Sequence, residues 1–232
     1  MVELPGGALA SRPLHFFWVC DTSGSMSGAK IQALNVAVRE AVPAMRDAAE
    51  DNPNAQVMVR ALQFSSGAQW VNAAPVKLDD FRWDDLNAGG ETQMGRGLAM
   101  VADQLKSPPM PQRALPPVVV LVSDGQPTDD FNAGLKAFMD EPWGKKAVRI
   151  GIAIGEDADL DVLQRFIGQD EIKPLVAQNS ADLTRYIKWV STAVLKAASA
   201  PASQTPLASG SAVPIPLPQA PSADPAGAGD VW

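Results

Sequence analysis

The chain of 232 residues carries 19 Lys and Arg against 26 Asp and Glu, for a formal net charge of −7, and 46% of its residues are apolar. This acidic balance argues against a nucleic-acid partner, because phosphates require concentrated Lys and Arg, and one His and one Cys argue against multi-His zinc sites and disulfide frameworks. No apolar run approaches the length of a membrane span and the first residues lack a signal-peptide pattern, so we expect a cytoplasmic protein without a membrane partner.

Apolar runs and amphipathic stretches alternate along the first half of the chain. The continuous apolar run over residues 16–20 predicts a strand that is buried on both faces. Apolar residues at helical spacing predict a helix from residue 29 to about residue 47. A second strand is expected over residues 57–64, followed by a short edge strand over residues 68–71.

The second half continues this alternation, and its clearest strand lies at residues 118–122, where apolar residues follow one another without interruption. The other elements are expected, in chain order, as a helix over 94–106, a helix over 131–139, a strand over 148–154, a helix over 160–167, a strand over 172–176 and a last helix capped by Ser180. Strands that alternate with helices favour right-handed crossover connections. We therefore expect a Rossmann-like, three-layer α/β/α fold around a central, mostly parallel sheet.

Composition divides the chain into three parts. Residues 1–14 are expected to form an N-terminal extension, residues 15–196 the α/β domain, and residues 197–232 a flexible tail rich in Ala and Pro. The tail holds no Lys or Arg, and its composition predicts an extended segment with few core contacts. Its two apolar islands, residues 213–217 and 230–232, keep open the alternative of a docking peptide.

Polar side chains follow the two strongest predicted strands. Asp21, Ser23 and Ser25 come directly after the first strand, Asp124 follows the strand over 118–122, and Thr92 opens the helix between them. Because α/β sheets bind ligands at the carboxyl ends of their strands, we expect these residues to converge there, with Asp21 and Ser23 in a solvent-facing turn. Carboxylate and hydroxyl oxygens without imidazole or thiolate suit Mg²⁺, or alternatively Mn²⁺ or Ca²⁺.

Two alternatives to a metal site remain open on the residues alone. Ser and Asp also cap helices, so Asp21, Ser23 and Ser25 by themselves would fit a capping turn. Asp21 would alternatively act as a phosphoryl-accepting nucleophile beside Mg²⁺. That chemistry favours a second acid near the nucleophile and a lysine at a strand end, whereas no Lys lies in the predicted strand-end loops. We therefore expect a binding protein rather than an enzyme.

Other polar and aromatic residues near these loops have simpler predicted roles. Glu91 is expected to be a solvated loop charge, and Cys20 a core thiol. Asp129 and Asp130 are expected to start the helix that follows them, where negative charge suits the helix dipole. The loop or edge tryptophans, which are expected to be partly buried with partner binding as the alternative, are Trp70, Trp83 and Trp143.

The same residues carry a resemblance to a known family. The pattern Asp21-x-Ser23-x-Ser25, with Thr92 and then Asp124 before Gly125, resembles the metal-ion-dependent adhesion site of von Willebrand factor A domains. The resemblance covers roughly residues 15–196. Within the family, the segments 19–28, 63–66 and 121–129 are most similar to the bacterial TerY-like group, which is linked to tellurite resistance.

The resemblance implies a role for each residue of the pattern. Ser23 and Ser25 would ligate the metal through their hydroxyls, and Thr92 would ligate it directly or through water. Asp21 and Asp124 would act mostly through bridging waters and hydrogen bonds to the serines. The implied function is a metal-dependent adaptor whose protein partner supplies an acidic residue to the metal, in a tellurite or stress response with a partner kinase and a PP2C-type phosphatase.

Overall fold

A sheet of seven strands runs through the part of the chain that the structure, a computed structural model, describes: residues 11–52, 55–200, 217–222 and 232. Its strands are β1 Arg12–Asp21, β2 Ala55–Ser65, β3 Gly67–Trp70, β4 Val76–Lys77, β5 Val118–Ser123, β6 Val148–Ile154 and β7 Leu175–Ala177. The spatial order is β3-β2-β1-β5-β6-β7, and β4 pairs with β2. β3 and β4 run antiparallel to β2, whereas the other pairings are parallel. The predicted mostly parallel sheet is confirmed.

Helices flank this sheet. Those in the described residues are α1 Ala29–Glu50, α2 Met94–Leu105, α3 Phe131–Asp140, α4 Pro142–Lys146, α5 Leu160–Ile167, α6 Ser180–Trp189 and α7 Leu195–Ser199. A 3₁₀ turn over Gly24–Met26 precedes α1, and a π-helical turn over Val190–Val194 joins α6 to α7. No helix among the described residues combines the length and the apolar character needed to cross a lipid bilayer.

β1 shows how the sheet separates two layers of core. Phe16 and Trp18 are buried on the side that α1 and α6 cover, together with Leu34 of α1. Phe17 and Val19 are buried on the opposite side, which α2, α3 and α5 cover. Because successive strand residues point to opposite faces, a strand covered on both sides needs the unbroken apolar run that the sequence shows. The predicted three-layer α/β/α architecture is therefore confirmed.

The structure differs from the predicted elements mainly at their ends. β1 begins at Arg12, because its pairing with β2 already starts with Arg12 opposite Ala55. α6 is capped by Asn179, whose side-chain oxygen accepts a hydrogen bond from the backbone N–H of Asp182 at 2.9 Å. The prediction of Ser180 as this cap is therefore wrong. β4 and α4 had no counterpart in the sequence analysis, since elements this short show no hydrophobic period.

The chain beyond α6 contacts the domain more than its composition predicts. α7 buries Leu195 and Ala198 in the core. Further along, Leu217 and Trp232 pack on the core layer that contains α1 and α6, and the backbone N–H of Trp232 donates to the Gln178 carbonyl at 3.3 Å. The rest of the two apolar islands, residues 213–216 and 230–231, lies outside the described residues. The division at residues 15–196 stays a prediction.

Candidate metal centre

The candidate site lies where β1 and β5 end side by side. Cys20 is paired with Val122 in the sheet, so the turns that follow both strands leave the same edge. The first of these turns is covered by a neighbouring loop, because the backbone N–H of Gly24 donates to the Gly90 carbonyl at 2.9 Å. A backbone contact to this loop therefore helps to hold the turn in place.

Asp21 is fully buried and joins the two strand ends. Its Oδ1 accepts a hydrogen bond from the backbone N–H of Ser23 at 2.8 Å, and its Oδ2 accepts one from Ser123 Oγ at 2.5 Å. Burial raises the pKa of the Asp21 carboxyl above its ordinary value, and the charge of Asp124 adds to the rise, while both hydrogen bonds oppose it. Asp21 and Ser23 are 0% and 1% exposed, so the expected solvent-facing position of these two residues is wrong.

Ser23, Ser25 and Asp124 form a continuous chain of oxygen atoms across the two turns. The hydroxyl oxygens of Ser23 and Ser25 lie 3.0 Å apart, and Ser25 Oγ donates to Asp124 Oδ1 at 2.7 Å. The Asp124 side chain is 0% exposed. A hydroxyl that donates its hydrogen to a carboxylate keeps its lone pairs available. In this state the Ser25 oxygen can coordinate a cation.

Thr92 reaches the same place from a third loop. Its backbone N–H donates to Thr128 Oγ1 at 3.1 Å, and its carbonyl accepts from the Thr128 N–H at 2.9 Å, so the loop after β5 fixes its position. A Cβ added at Gly125 would lie 3.6 Å from Ser25 Oγ and 3.8 Å from Thr92 Oγ1. The two hydroxyls therefore face one small space, which a glycine leaves free of side-chain atoms.

The structure thus brings the predicted residues Asp21, Ser23, Ser25, Thr92 and Asp124 to one edge of the sheet. The described residues hold no group of three or more His, Cys, Asp and Glu side chains that could bind a metal, so hydroxyls would have to supply part of the ligand set. Three hydroxyls and two carboxylates form a donor set of hard oxygens, which fits Mg²⁺, Mn²⁺ or Ca²⁺.

Lys30 is a member of this cluster that the sequence analysis missed. Its Nζ lies 2.6 Å from Asp124 Oδ2, and it reaches the site from the first turn of α1 rather than from a strand-end loop. The signal that would have found it is its place two residues after Gly28, in the helix that follows the turn after β1. A lysine on that first turn starts beside the carboxyl ends of the strands.

The acidic residues around the centre mostly cap helices. Asp129 accepts hydrogen bonds from the backbone N–H groups of Gly95 and Arg96 at 2.9 and 2.8 Å, so it caps α2 rather than the helix that follows it. Asp130 caps α3 by accepting from the Ala133 N–H at 2.9 Å, as predicted. Glu91 is exposed, which agrees with a loop charge.

The aromatic residues and the cysteine outside the centre have structural partners. Trp83 donates to Asn35 Oδ1 at 3.1 Å and Trp143 donates to Ser107 Oγ at 3.2 Å, and both side chains are buried. Arg60 lies over the Trp70 ring at 3.8 Å from its centroid. Cys20 is a buried core thiol whose pKa is raised by burial. These contacts favour the structural role over partner binding.

Solved structures show the same fold at low sequence identity. A von Willebrand factor type A protein from Catenulispora acidiphila has a TM-score of 0.60 at 16% identity, over 81% of this chain and 43% of that one. The ArnB paralog VWA2 from Sulfolobus acidocaldarius has a TM-score of 0.58 at 17% identity, over 78% and 45%. Proximal thread matrix protein 1 from the mussel byssus, with a zinc-occupied MIDAS motif, has a TM-score of 0.58 at 18% identity, over 78% and 48%. The chain spans less than half the length of each of these proteins.

Family membership rests on the sequence itself. Among curated protein sequences, none matches this chain significantly. The family model of the von Willebrand factor type A domain matches residues 17–186, a range that contains every residue of the candidate metal centre. The chain belongs to the von Willebrand factor type A domain family.

Proposed function

We propose that this protein is a metal-dependent protein-interaction module. The observation that carries the proposal is the approach of the Ser25 and Thr92 hydroxyls to one space beside Gly125, next to the buried Asp124 carboxylate. Domains of this family are commonly metal-dependent interaction modules. The relative from the mussel byssus, with its zinc-occupied MIDAS motif, supports a divalent ion, and the oxygen ligands favour Mg²⁺, Mn²⁺ or Ca²⁺.

The residues of the centre would have different roles in binding the ion. Ser23, Ser25 and Thr92 would hold it through their hydroxyl oxygens. Asp21 fixes the first turn through the Ser23 N–H, and Asp124 orients the Ser25 hydroxyl. The bound ion would supply a positive charge to which a ligand oxygen can bind.

We propose that the partner contributes an acidic side chain. Because the two carboxylates act mainly through hydrogen bonds, the ion keeps much of its positive charge and at least one exchangeable water. A Glu or Asp oxygen can displace that water and gain a charge-assisted bond, whereas a neutral or basic group gains little. The net charge of −7 repels an acidic partner at long range, so attraction is concentrated at the ion.

The first experiment measures binding of Mn²⁺ by electron paramagnetic resonance. Ser25→Ala should weaken binding at least about tenfold, because it removes a hydroxyl ligand. Ser27→Ala is the matched control, since Ser27 ends the same turn and is exposed, and its backbone N–H, which donates to the Gly24 carbonyl, is unchanged by the substitution. Equal Mn²⁺ affinity in the wild type and both variants would contradict the site.

A second experiment concerns the partner. Complexes that are cross-linked in extracts of the native cell in the presence of Mg²⁺ should not form when EDTA is added before the cross-linker. They should also not form when the Ser25→Ala variant is used in place of the wild type. A complex that keeps its full affinity in excess EDTA would show that recognition does not pass through the metal.

The finer assignment rests on the sequence resemblance alone. We propose a cytoplasmic adaptor of the TerY-like group, acting in a bacterial tellurite or stress response beside a protein kinase and a PP2C-type phosphatase. Deleting the gene in its host and measuring growth on tellurite tests this assignment. Unchanged tellurite tolerance would argue against it, while the metal-dependent interaction would stand.

A phosphoryl-transfer enzyme with Asp21 as nucleophile is the second candidate function. One observation favours it, because Lys30 supplies the lysine that the predicted strand-end loops lack. Two observations oppose it: both Asp21 oxygens already accept hydrogen bonds, and the side chain is 0% exposed. Incubation with acetyl phosphate and Mg²⁺ should therefore leave no hydroxylamine-sensitive adduct. An adduct that Asp21→Asn abolishes would establish the enzyme instead.

A further inference from the structure

Lys30 and Asp124 form an ion pair inside the candidate metal centre. Lys30 Nζ lies 2.6 Å from Asp124 Oδ2, and the two side chains are 18% and 0% exposed. The Lys136–Asp140 pair on α3 is 75% and 61% exposed and is solvated on all sides by comparison. Since Ser25 already occupies Oδ1 of Asp124, the lysine completes the partners of this buried carboxylate.

The fold provides a path for this lysine. α1 begins at Ala29, directly after Gly28, and its second residue, Lys30, lies beside Gly155, the residue that follows β6. A Cβ added at Gly155 would lie 3.5 Å from both Cε and Nζ of Lys30, so the lysine passes over a position without a side chain. Gly155 has a φ of +81°, a backbone conformation in which a larger residue would be strained.

We propose that Lys30 is an internal counter-ion that weakens the binding of a bare divalent metal and strengthens the binding of an acidic ligand to the loaded site. This inference rests on the proposed metal-dependent function. The formal charges of two carboxylates, Asp21 and Asp124, would balance the charge of a divalent ion in the site as a whole. With the ammonium of Lys30 included, the loaded centre carries one net positive charge, which a partner carboxylate then neutralises.

The two effects follow from the position of the charge. Coulomb repulsion between an ammonium group and a divalent ion is large when they share a carboxylate in a site of reduced solvent exposure. The same ammonium attracts an anionic ligand oxygen that approaches the ion. The site therefore discriminates between the metal alone and the metal with an acidic partner, and metal occupancy becomes coupled to partner binding.

The test measures Mn²⁺ binding without any partner, by electron paramagnetic resonance. Lys30→Met should bind Mn²⁺ about tenfold more tightly than the wild type, because it removes the competing charge. Lys30→Gln, which can still donate to Asp124, should show the same gain and guards against a folding defect in the first variant. Lys30→Arg keeps the charge and should show no gain, and Lys136→Met is the control for loss of a surface lysine.

A second readout uses acetate as the acidic probe. At equal Mn²⁺ loading, the relaxation enhancement of the acetate methyl protons should be smaller in Lys30→Met than in the wild type. Equal or weaker Mn²⁺ binding in both uncharged variants, with normal binding in the wild type, would overturn the inference and leave the proposed function intact. Absence of Mn²⁺ binding in every variant would overturn the proposed function and this inference together.

Discussion

The turns after β1 and β5 each bring one carboxylate to the candidate metal centre, but the two carboxylates have different hydrogen-bond partners. Asp21 accepts hydrogen bonds from two neutral groups, the Ser23 N–H and the Ser123 hydroxyl, which are themselves buried. Asp124 accepts from Ser25 Oγ and from the Lys30 ammonium, which water can reach. The difference indicates that Asp21 mainly holds the two strand ends together, whereas the environment of Asp124 depends on the charge of Lys30.

The largest expected effect is a loss of stability when the buried carboxylate, Asp21, is replaced. Asp21→Ala leaves the Ser23 N–H without its side-chain acceptor inside the protein and leaves the Ser123 hydroxyl with only its longer contacts to the Gly125 backbone, so it should lower the free energy of unfolding by about 3 kcal/mol. Asp124→Ala should cost only about 1 kcal/mol, because Lys30 and Ser25 can turn to solvent. Urea unfolding in EDTA measures both values, and Asp21→Asn, which keeps the shape, is the control. Equal losses would show that the two turns are equivalent.

The β1 turn also marks the boundary between what the sequence predicted and what it did not. The unbroken apolar run before Asp21 predicted a strand buried on both faces, and the order of strands and helices then predicted the confirmed fold. On the assumption of a solvent-facing capping turn, Asp21→Ala would cost only about 1 kcal/mol. That assumption failed because the covering loop at Gly90 is far away in the sequence, and no local pattern reports such a contact.

The site shows the same division. Convergence of Asp21 and Asp124 follows from strand ends that share one edge, a property that parallel topology imposes, and Thr92 joins them from the loop before α2. The reach of Lys30 to Asp124 depends on the direction of α1 and on the bare backbone at Gly155, which only the packed structure shows. The family resemblance predicts the ligand types, whereas the charge pairing inside the centre is visible only in the packed structure.

The two ends of β1 carry titratable side chains in different environments, which makes the stability of the protein depend on pH. Asp21 at its carboxyl end has polar partners, whereas His15 near its amino end stacks on Phe17, and burial lowers the pKa of His15 to about 4. The folded chain therefore resists protonation of His15 while the unfolded chain accepts the proton near pH 6.5. The resulting stability is fully present above pH 6.5 and is lost as the pH falls towards 4.

Allowing for partial exposure of the imidazole, the wild type should lose about 1.5 kcal/mol of unfolding free energy at pH 5, relative to pH 7, that His15→Gln does not lose. Urea titrations of both proteins at the two pH values give this difference, in which the contributions of the carboxylates are the same for both proteins and cancel. The chain has one His, so no second imidazole contributes. A parallel pH dependence in the two proteins would mean that His15 is protonated as easily in the folded state.

The β5 turn offers a matched pair of adjacent carboxylates. Asp129 caps α2, the helix that Thr92 precedes, and Asp130 caps α3. Replacing either by Ala should cost about 1 kcal/mol of stability. Only Asp129→Ala should also weaken Mn²⁺ binding, by about threefold, because a frayed α2 start lets Thr92 move. Equal Mn²⁺ affinities for the two variants would show that the cap of α2 does not support the site.

The smallest expected effect concerns the outer face of α1, the helix that carries Lys30. Trp232 lies in a groove between α1 and α6, beside Ala33 and Val36 of α1 and Ala181 of α6. Trp232→Ala removes part of this apolar contact and should lower the free energy of unfolding by about 0.7 kcal/mol, since the entropy cost of ordering the end of the chain offsets most of the gain from burying the ring. The tail composition alone predicts no change. Because Trp232 lies against α1 and α6 and donates to the Gln178 carbonyl, its loss should leave the stability difference between Asp21→Ala and Asp124→Ala unaltered when the variants are combined. A changed difference in those double variants would show that the groove and the metal centre are coupled through α1.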